Sequence, residues 1–305
     1  MNDLVVQTDG LTKRYGDRLA VDSVSMTVRR GEVYGFLGPN GAGKTTTLRM
    51  MLGLIRPTAG TASVLGTTAG RPDVTARVGA LVEGPGFFPY LSGRDNLRVM
   101  ARYRGLGENA VEAALARVDL TDRAGDTFKA YSLGMKQRLG VASALMGDPE
   151  LIVLDEPTNG LDPAGMADMR ALVFSLARGG QTVLLSSHLL TEVQEICDRV
   201  GVINGGRLLR EARVDELRGE ASLRVRATPE DTAIAVAMRV AGEDAVRRTP
   251  LGLELAMTAD GAPALVRDLV TAGVDVHEVS PTERSLEEVF FEMTSEAPTT
   301  KEKAA

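Results

Sequence analysis

The sequence predicts an α/β protein built on a parallel β-sheet, with a small α+β domain after it. Short apolar runs alternate with helical segments through residues 1–220, as strands and helices do in an α/β domain. One of these runs leads into a glycine-rich turn, which is followed by a helical segment. From residue 221 onward the alternation gives way to a different order of elements, which indicates a second domain.

In the first domain, short and mainly apolar runs are predicted to be strands, because strands buried on both faces of a parallel sheet have this composition. The strands are residues 32–37, 151–154, 182–186 and 200–203, and the helices are residues 45–54, 163–178 and 189–198. Residues 91–145 have an almost wholly helical pattern, which predicts a helical insertion.

Residues 221–295 are predicted to form a ferredoxin-like β-α-β-β-α-β sandwich. Thr228 is expected to be the N-cap of its first helix, with Pro229 at the first helical position. The predicted strands are residues 222–227, 245–249, 251–257 and 274–279, and the second helix is residues 263–272.

The end of the chain is predicted to carry one more helix and a frayed tail. Ser285 and Glu288 have the spacing of a capping box, so a helix is expected to begin there. Residues 296–305 are small and polar, which is typical of a disordered terminus.

Composition and charge exclude several classes of function. The net charge of −6 argues against a general nucleic-acid-coating role. The one cysteine, Cys197, rules out an intramolecular disulfide and favours a reducing compartment. No secretion signal is visible, and no stretch approaches the roughly 18 apolar residues that span a bilayer. We therefore expect a cytoplasmic protein without a membrane segment of its own.

Residues 38–45 match the phosphate-binding pattern G-x-x-x-x-G-K-[ST] and lie between a predicted strand and a predicted helix. Glycines allow backbone N–H groups to surround phosphate oxygens, and the helix N-terminus adds a favourable dipole. Lys44 is expected to reach the β- and γ-phosphates, and Thr45 to offer its hydroxyl to Mg²⁺. The pattern therefore predicts a nucleoside triphosphate site.

Two carboxylates follow the apolar run at residues 151–154. In a parallel sheet such residues lie at the edge where ligands bind. Asp155 is expected to hold Mg²⁺ through the water shell of the metal, and Glu156 to orient and polarise the attacking water. Ser132 precedes another helical run as a good N-cap, so its helix offers a further anion site.

The order of these segments resembles the ATP-binding cassette (ABC) ATPase family over roughly residues 4–217. Residues 38–45 and 151–156 resemble its Walker A and Walker B motifs, and residues 131–135 resemble its signature. The resemblance implies a RecA-like parallel sheet core, an antiparallel β subdomain and a helical insertion. It implies three catalytic residues, namely Lys44, Glu156 and His188, the last as a sensor of the γ-phosphate. The implied nucleotide contacts are Tyr15, stacked on adenine, then Gly38, Pro39, Asn40, Gly41, Ala42, Gly43, Lys44, Thr45, Thr46, Glu83, Ser132, Gly134 and Asp162.

Two departures from the family pattern are informative. Glu83 stands where the family usually has a glutamine, so that amide is missing, although a carboxylate can face Mg²⁺ together with Thr45 and Asp155. In the signature only Ser132 and Gly134 are retained. Both departures resemble the drug, bacitracin and lantibiotic exporter branch, as does the segment that begins at Ser285.

The resemblance implies two cassettes paired head to tail around two ATP molecules. A homodimer is the simplest arrangement, and a heterodimer with a second cassette is the other. It also implies a separate polytopic membrane subunit, which places this chain at the cytoplasmic face of the membrane. Residues 83–90 are either the docking surface for that subunit or a packed loop.

The competing hypothesis is a soluble ABC ATPase of translation, DNA repair or chromosome maintenance. Such translation factors usually carry two cassettes in one chain, whereas this sequence has one. The chromosome and repair types interrupt the cassette with long coiled coils, and no heptad run lies between Thr45 and Ser132. We therefore expect no nucleic-acid partner.

Overall fold

The structure is a computed structural model that describes residues 3–218 and 222–282. The chain divides after Val214 into two compact units, somewhat before the boundary predicted at about residue 220. The predicted helix at Ser285 and the predicted tail at residues 296–305 lie outside the described residues. None of the helices in the described part combines the length and the apolar composition that a bilayer crossing needs.

The first unit contains eleven strands and seven helices among its described residues, and an eighth helix lies at the division. The strands are β1 (Leu4–Tyr15), β2 (Arg18–Val24), β3 (Thr27–Arg29), β4 (Val33–Leu37), β5 (Ala59–Val64), β6 (Thr67–Thr68), β7 (Val78–Leu81), β8 (Leu151–Asp155), β9 (Thr182–Ser187), β10 (Arg199–Asn204) and β11 (Arg207–Arg213). The helices are α1 (Lys44–Met51), α2 (Pro72–Thr75), α3 (Gly93–Tyr103), α4 (Glu108–Arg117), α5 (Leu133–Leu145), α6 (Pro163–Arg178), α7 (Leu190–Ile196) and α8 (Val214–Arg218).

The predicted parallel sheet is the centre of the first unit, with strand order β11-β10-β4-β9-β8-β7. All of its pairs are parallel except that of β10 with β11. Every residue of β4, β8 and β9 is buried, as the apolar runs predicted. The carboxyl ends of these three strands meet at one edge of the sheet.

A second sheet is antiparallel around β1, which pairs with β2, β3 and β5. Side chains from β1, β4 and α1 share one buried cluster, which includes Val6, Phe36 and Leu48. This packing fixes the end of β4 and the start of α1 relative to the hairpin of β1 and β2.

Helices α3, α4 and α5 form the predicted helical insertion, together with two short 3₁₀ turns at Thr121–Arg123 and Phe128–Ala130. Ser92 caps α3 and Ser132 caps α5, each with its hydroxyl accepting from a backbone N–H in the first turn. The parallel core, the antiparallel subdomain and the helical insertion confirm the predicted fold class.

The second unit has the predicted element order, with strands β12 (Ser222–Thr228), β13 (Val246–Thr249), β14 (Gly252–Leu255) and β15 (Asp275–Thr282) and helices α9 (Glu230–Ala241) and α10 (Ala262–Thr271). The sheet order is β13-β14-β12-β15, with all pairs antiparallel. Leu223, Leu255 and Leu265 lie in its core.

The predicted start of α9 is wrong by one residue. Pro229 occupies the N-cap and makes no side-chain cap, whereas Thr228 ends strand β12. The Thr228 hydroxyl instead lies 2.8 Å from Nε2 of His277 on β15. Thr228 pairs with Asp275 of β15, so it belongs to the strand and does not cap the helix.

Candidate nucleotide site

The glycine-rich loop of residues 38–45 joins β4 to α1, so it lies at the carboxyl edge of the parallel sheet. A Cβ at Gly38 would come within 2.8 Å of the Ile203 side chain. Gly43 has φ of +107°, and a Cβ there would approach the Ala20 carbonyl oxygen to 2.6 Å. The loop therefore requires glycine at both positions. Because α1 begins at Lys44, its first-turn amides have no acceptor within the helix and can bind an anion.

Lys44 is almost completely buried, with 4% of its surface exposed. Its ammonium donates to the carbonyl oxygens of Gly38 at 2.6 Å and Pro39 at 3.2 Å. The third partner is Glu156, whose Oε1 lies 3.0 Å from Nζ. All three ammonium protons therefore have acceptors that lie in or beside the phosphate loop.

Glu156 follows the end of β8 and has φ of +47°, in the left-handed region that a residue with a Cβ seldom occupies. Its backbone N–H is held by Ser186 at the end of β9, with 3.0 Å to Oγ and 3.2 Å to the carbonyl oxygen. Its Oε2 lies 3.1 Å from Nδ1 of His188. The carboxylate therefore bridges Lys44 and His188, and local backbone strain at this position is typical of functional sites.

Asp155 is the last residue of β8, and one carboxylate oxygen accepts from Oγ of Ser186 at 2.5 Å. Its side chain lines the same cavity as Thr45. Carboxylate and hydroxyl oxygens at the end of a phosphate loop are the donor types that Mg²⁺ prefers. Asp155 and Thr45 therefore fit the predicted metal site by their chemistry.

A cavity of about 700 Å³ opens beside the loop. Ten predicted site residues line it, namely Tyr15, Asn40, Gly41, Gly43, Lys44, Thr45, Thr46, Glu83, Asp155 and Glu156. Five further lining residues were not predicted, namely Arg18, Ala20, Gly84, Gln137 and Asn159. None of these five was predicted to contact the nucleotide, although Gly84 lies in the segment 83–90, Gln137 follows the signature segment, and Asn159 lies three residues before Asp162.

Other predicted residues support the cavity from outside its lining. Gly38 and Pro39 hold Lys44 through their carbonyl oxygens. Ala42 is buried in the core below the loop. His188 reaches the cavity through Glu156.

Tyr15 ends β1 and pairs with Arg18 across the hairpin to β2. Its ring is about half exposed, and Nζ of Lys13 lies 5.1 Å from the ring centroid. An exposed aromatic face at the rim of the cavity is free to stack on a planar base. The ammonium of Lys13 adds positive charge at the rim of the cavity, which favours an anionic nucleotide.

Glu83 also lines the cavity, and its φ of +63° shows that the loop after β7 is sharply turned. Its carboxylate forms an ion pair with Arg49 of α1. More than half of the Glu83 side chain is exposed. The charge of this carboxylate is therefore matched by a cation of the chain.

Three predicted nucleotide contacts, Ser132, Gly134 and Asp162, lie outside the lining of this cavity in the described part of the chain. The Ser132 hydroxyl accepts from Met135 N at 3.2 Å, and Asp162 caps α6 by accepting from Gly165 N at 2.9 Å. A Cβ at Gly160 would lie 3.1 Å from the Leu133 side chain. The start of α5 and the loop before α6 therefore form one surface.

The loop of residues 83–90 is partly packed and partly exposed. Phe87 lies edge-on to Phe128, with ring centroids 5.3 Å apart. Phe88 and Tyr90 are 47% and 71% exposed, and their ring centroids are 5.9 Å apart. The loop therefore presents an aromatic pair to solvent while Phe87 anchors it to the helical insertion.

Comparison with known proteins identifies the family of this chain. The family model described as ABC transporter matches residues 21–159. A bacitracin transport ATP-binding protein of Bacillus licheniformis is 45% identical over 218 residues, which cover 70% of this chain and 71% of that protein. A daunorubicin resistance ATP-binding protein of Streptomyces coeruleorubidus is 38% identical, with 100% of each chain covered. A solved ATP-binding subunit of an ABC transporter matches with a TM-score of 0.63 and 28% identity, over 70% of this chain and 92% of that one.

These similarities confirm the family that the motif order predicted, and its bacitracin and drug branch. The structural match confirms the cassette fold of the first unit. The chain therefore belongs to the ABC transporter family, as one of its ATP-binding proteins.

Proposed function

We propose that the chain is the ATP-hydrolysing subunit of an ABC transporter that exports a drug, antibiotic or similar compound. The observation that carries the proposal is the convergence of Lys44 and His188 on Glu156, beside a glycine-rich loop and a cavity of about 700 Å³. The relatives named for bacitracin transport and daunorubicin resistance support export as the use of that hydrolysis.

The chain's own residues account for the chemistry of hydrolysis. The amides of the loop and the Lys44 ammonium bind the phosphates of ATP. Because all three ammonium protons already have acceptors, a γ-phosphate oxygen must replace one of them. When a γ-phosphate oxygen takes the place of the Glu156 carboxylate beside Lys44, Oε1 of Glu156 becomes free to polarise the attacking water. The contact with His188 keeps the carboxylate oriented.

Thr45 and Asp155 are the residues that would hold Mg²⁺. The metal would neutralise charge on the β- and γ-phosphates. Glu83 remains a proposed third oxygen donor, and its ion pair with Arg49 limits the charge that it brings. The hydrogen bond from Ser186 fixes the orientation of the Asp155 carboxylate.

We further propose that two cassettes pair head to tail around two ATP molecules. Ser132 and Gly134 of one chain would contact the ATP held by the other chain, which explains their place outside the cavity of their own chain. The N-terminus of α5 supplies the favourable dipole for that contact. A homodimer needs no further component, and pairing with a different cassette is the alternative.

The partner in the membrane is proposed to be a separate polytopic permease subunit, which places the chain at the cytoplasmic face. Phe88 and Tyr90 offer an exposed aromatic pair at the loop that also carries Glu83. Aromatic residues are enriched at protein–protein contacts. Docking on this loop would link the permease directly to the nucleotide cavity.

The experiment is to purify the tagged full chain from solubilised membranes of its own cells and to identify what accompanies it. Recovery of a polytopic membrane protein, lost in a Phe88→Ala/Tyr90→Ala variant, is the expected result. A Tyr103→Ala variant is the control, because Tyr103 is also exposed but lies on α3. Recovery of ribosomes or DNA instead would contradict the proposal and favour translation, DNA repair or chromosome maintenance.

A further inference from the structure

Gln137 is a buried side chain of the nucleotide cavity to which no motif gave a role. It lies in the second turn of α5 with only 8% of its surface exposed, and it lines the cavity together with Glu156 and Asn159. Its Oε1 is buried and has no hydrogen-bond partner among the described residues. A buried acceptor without a donor is unfavourable, so a purely structural position would favour an apolar residue of the same size.

The packing of α5 directs this face of the helix toward the loop after β7. Gly140 lies one turn further along the same face, and a Cβ there would come within 2.9 Å of Leu81 and 3.3 Å of Pro85. These two residues bracket Glu83. The neighbours of Gln137 along the helix have other partners, since Arg138 pairs with Asp168 and Nζ of Lys136 lies 5.5 Å from the Phe128 ring centroid.

The chemistry of the cavity identifies the donor that Oε1 can meet. Phosphate oxygens and the carboxylates of Asp155 and Glu156 are acceptors, so they cannot satisfy an amide oxygen. None of the donor side chains that line the cavity, Lys44 included, hydrogen-bonds to Oε1 in the described part of the chain. A water molecule is the donor that enters with hydrolysis, and the water that Glu156 polarises has a second proton.

We propose that Gln137 is a further catalytic residue, whose amide oxygen accepts a hydrogen bond from the attacking water. The inference rests on the proposed ATPase function of the same site. With one proton donated to Glu156 and the other to Gln137, the water directs a lone pair at the γ-phosphorus. The oxygen–phosphorus bond forms, the bond to the leaving oxygen breaks with its electron pair on ADP, and Glu156 takes the proton.

The test is Gln137→Met, which keeps the length of the side chain and removes its hydrogen bonding. In the full chain with Mg-ATP, we expect kcat to fall by about tenfold or more, as loss of a group on the reacting water does. ATP affinity should stay within about threefold, because Gln137 contacts the water and not the phosphates. The thermal midpoint without nucleotide should equal or exceed that of the wild type, since an unsatisfied acceptor is removed.

Gln181→Met is the matched control, because Gln181 hydrogen-bonds to Asp148 outside the cavity and its variant should keep the wild-type kcat. Wild-type turnover in Gln137→Met would overturn the inference. A loss of ATP affinity equal to the loss of turnover, or a lowered thermal midpoint, would also overturn it and assign a binding or structural role. A wild-type chain without ATPase activity would overturn the proposed function itself, so the two failures are distinguishable.

Discussion

Nζ of Lys44 lies 3.0 Å from Oε1 of Glu156, which joins the phosphate loop after β4 to the end of β8, two strands away in the sheet. Both side chains are largely removed from water, so loss of either partner leaves a buried charge poorly compensated. His188 holds the other carboxylate oxygen. The ion pair therefore couples the position of the residue that would bind phosphate to that of the residue that would polarise water.

Lys44→Ala should weaken ATP binding by at least about tenfold, the value of one lost charge-assisted hydrogen bond to phosphate. Equilibrium titration with a fluorescent ATP analogue measures this change. Lys129→Ala is the control, because Lys129 is exposed and lies outside the cavity lining. Unchanged affinity in Lys44→Ala would refute the phosphate-loop assignment.

His188→Ala should lower kcat by about ten- to a hundredfold while ATP affinity changes little. The reason is that His188 contacts the Glu156 carboxylate and does not line the nucleotide cavity. Steady-state ATPase assays combined with direct binding measurements separate the two effects. An equal fall in affinity and turnover would show that His188 acts on the bound nucleotide in the ground state.

Asp155→Asn should raise the Mg²⁺ concentration needed for half-maximal ATPase activity by about tenfold or more, as loss of an anionic ligand does. Glu83→Gln should raise it much less, because Arg49 already matches the charge of Glu83. A Mg²⁺ titration of the ATPase activity of both variants shows which substitution raises the required Mg²⁺ concentration more. A stronger effect of Glu83→Gln than of Asp155→Asn would contradict the metal-site proposal.

Cys197 should be nearly unreactive in the folded protein. Burial raises the pKa of its thiol, with a smaller contribution from the charges of Asp198 and Glu192. The folded chain therefore keeps the protonated thiol at pH values where the unfolded thiol ionises, so this group destabilises the fold as the pH rises above its ordinary pKa. At pH 8, alkylation should be slower by about a hundredfold or more than in denaturant. Equal rates in the two conditions would contradict the buried position.

Deletion of residues 221–305 should leave measurable ATPase activity, because the cavity and every side-chain contact described for it lie within residues 1–214. The measurement is ATP turnover of the truncated chain beside that of the full chain. A truncated chain that stays folded and binds no nucleotide would show that the C-terminal domain completes the site or the dimer.

The sequence predicted the central strands well, and the reason is physical. Residues 151–154 are a continuous apolar run and residues 182–186 are apolar at their three central positions, a composition typical of a strand with two buried faces. The glycine-rich loop was predicted equally well. Its backbone geometry excludes a Cβ at Gly43, so the loop requires a glycine there that the sequence pattern shows.

Contacts between residues that are distant in the chain could not be predicted from the sequence. Neither the ion pair of Arg49 with Glu83 nor the place of Gln137 in the cavity has a local pattern, since both depend on how α1, β7 and α5 pack. Thr228 shows a related limit, because strand pairing with β15 outweighed a good helix-capping sequence.

ATP turnover and molar mass should be measured for the full chain carrying Glu156→Gln. The amide keeps the size of the side chain but accepts no proton, so turnover should fall by about a hundredfold or more while ATP still binds. With ATP retained, the variant should accumulate as a dimer that the same chain without ATP does not form. Rapid hydrolysis by this variant would remove Glu156 from its role, and a variant that stays monomeric with ATP bound would contradict the proposed ATP-dependent pair.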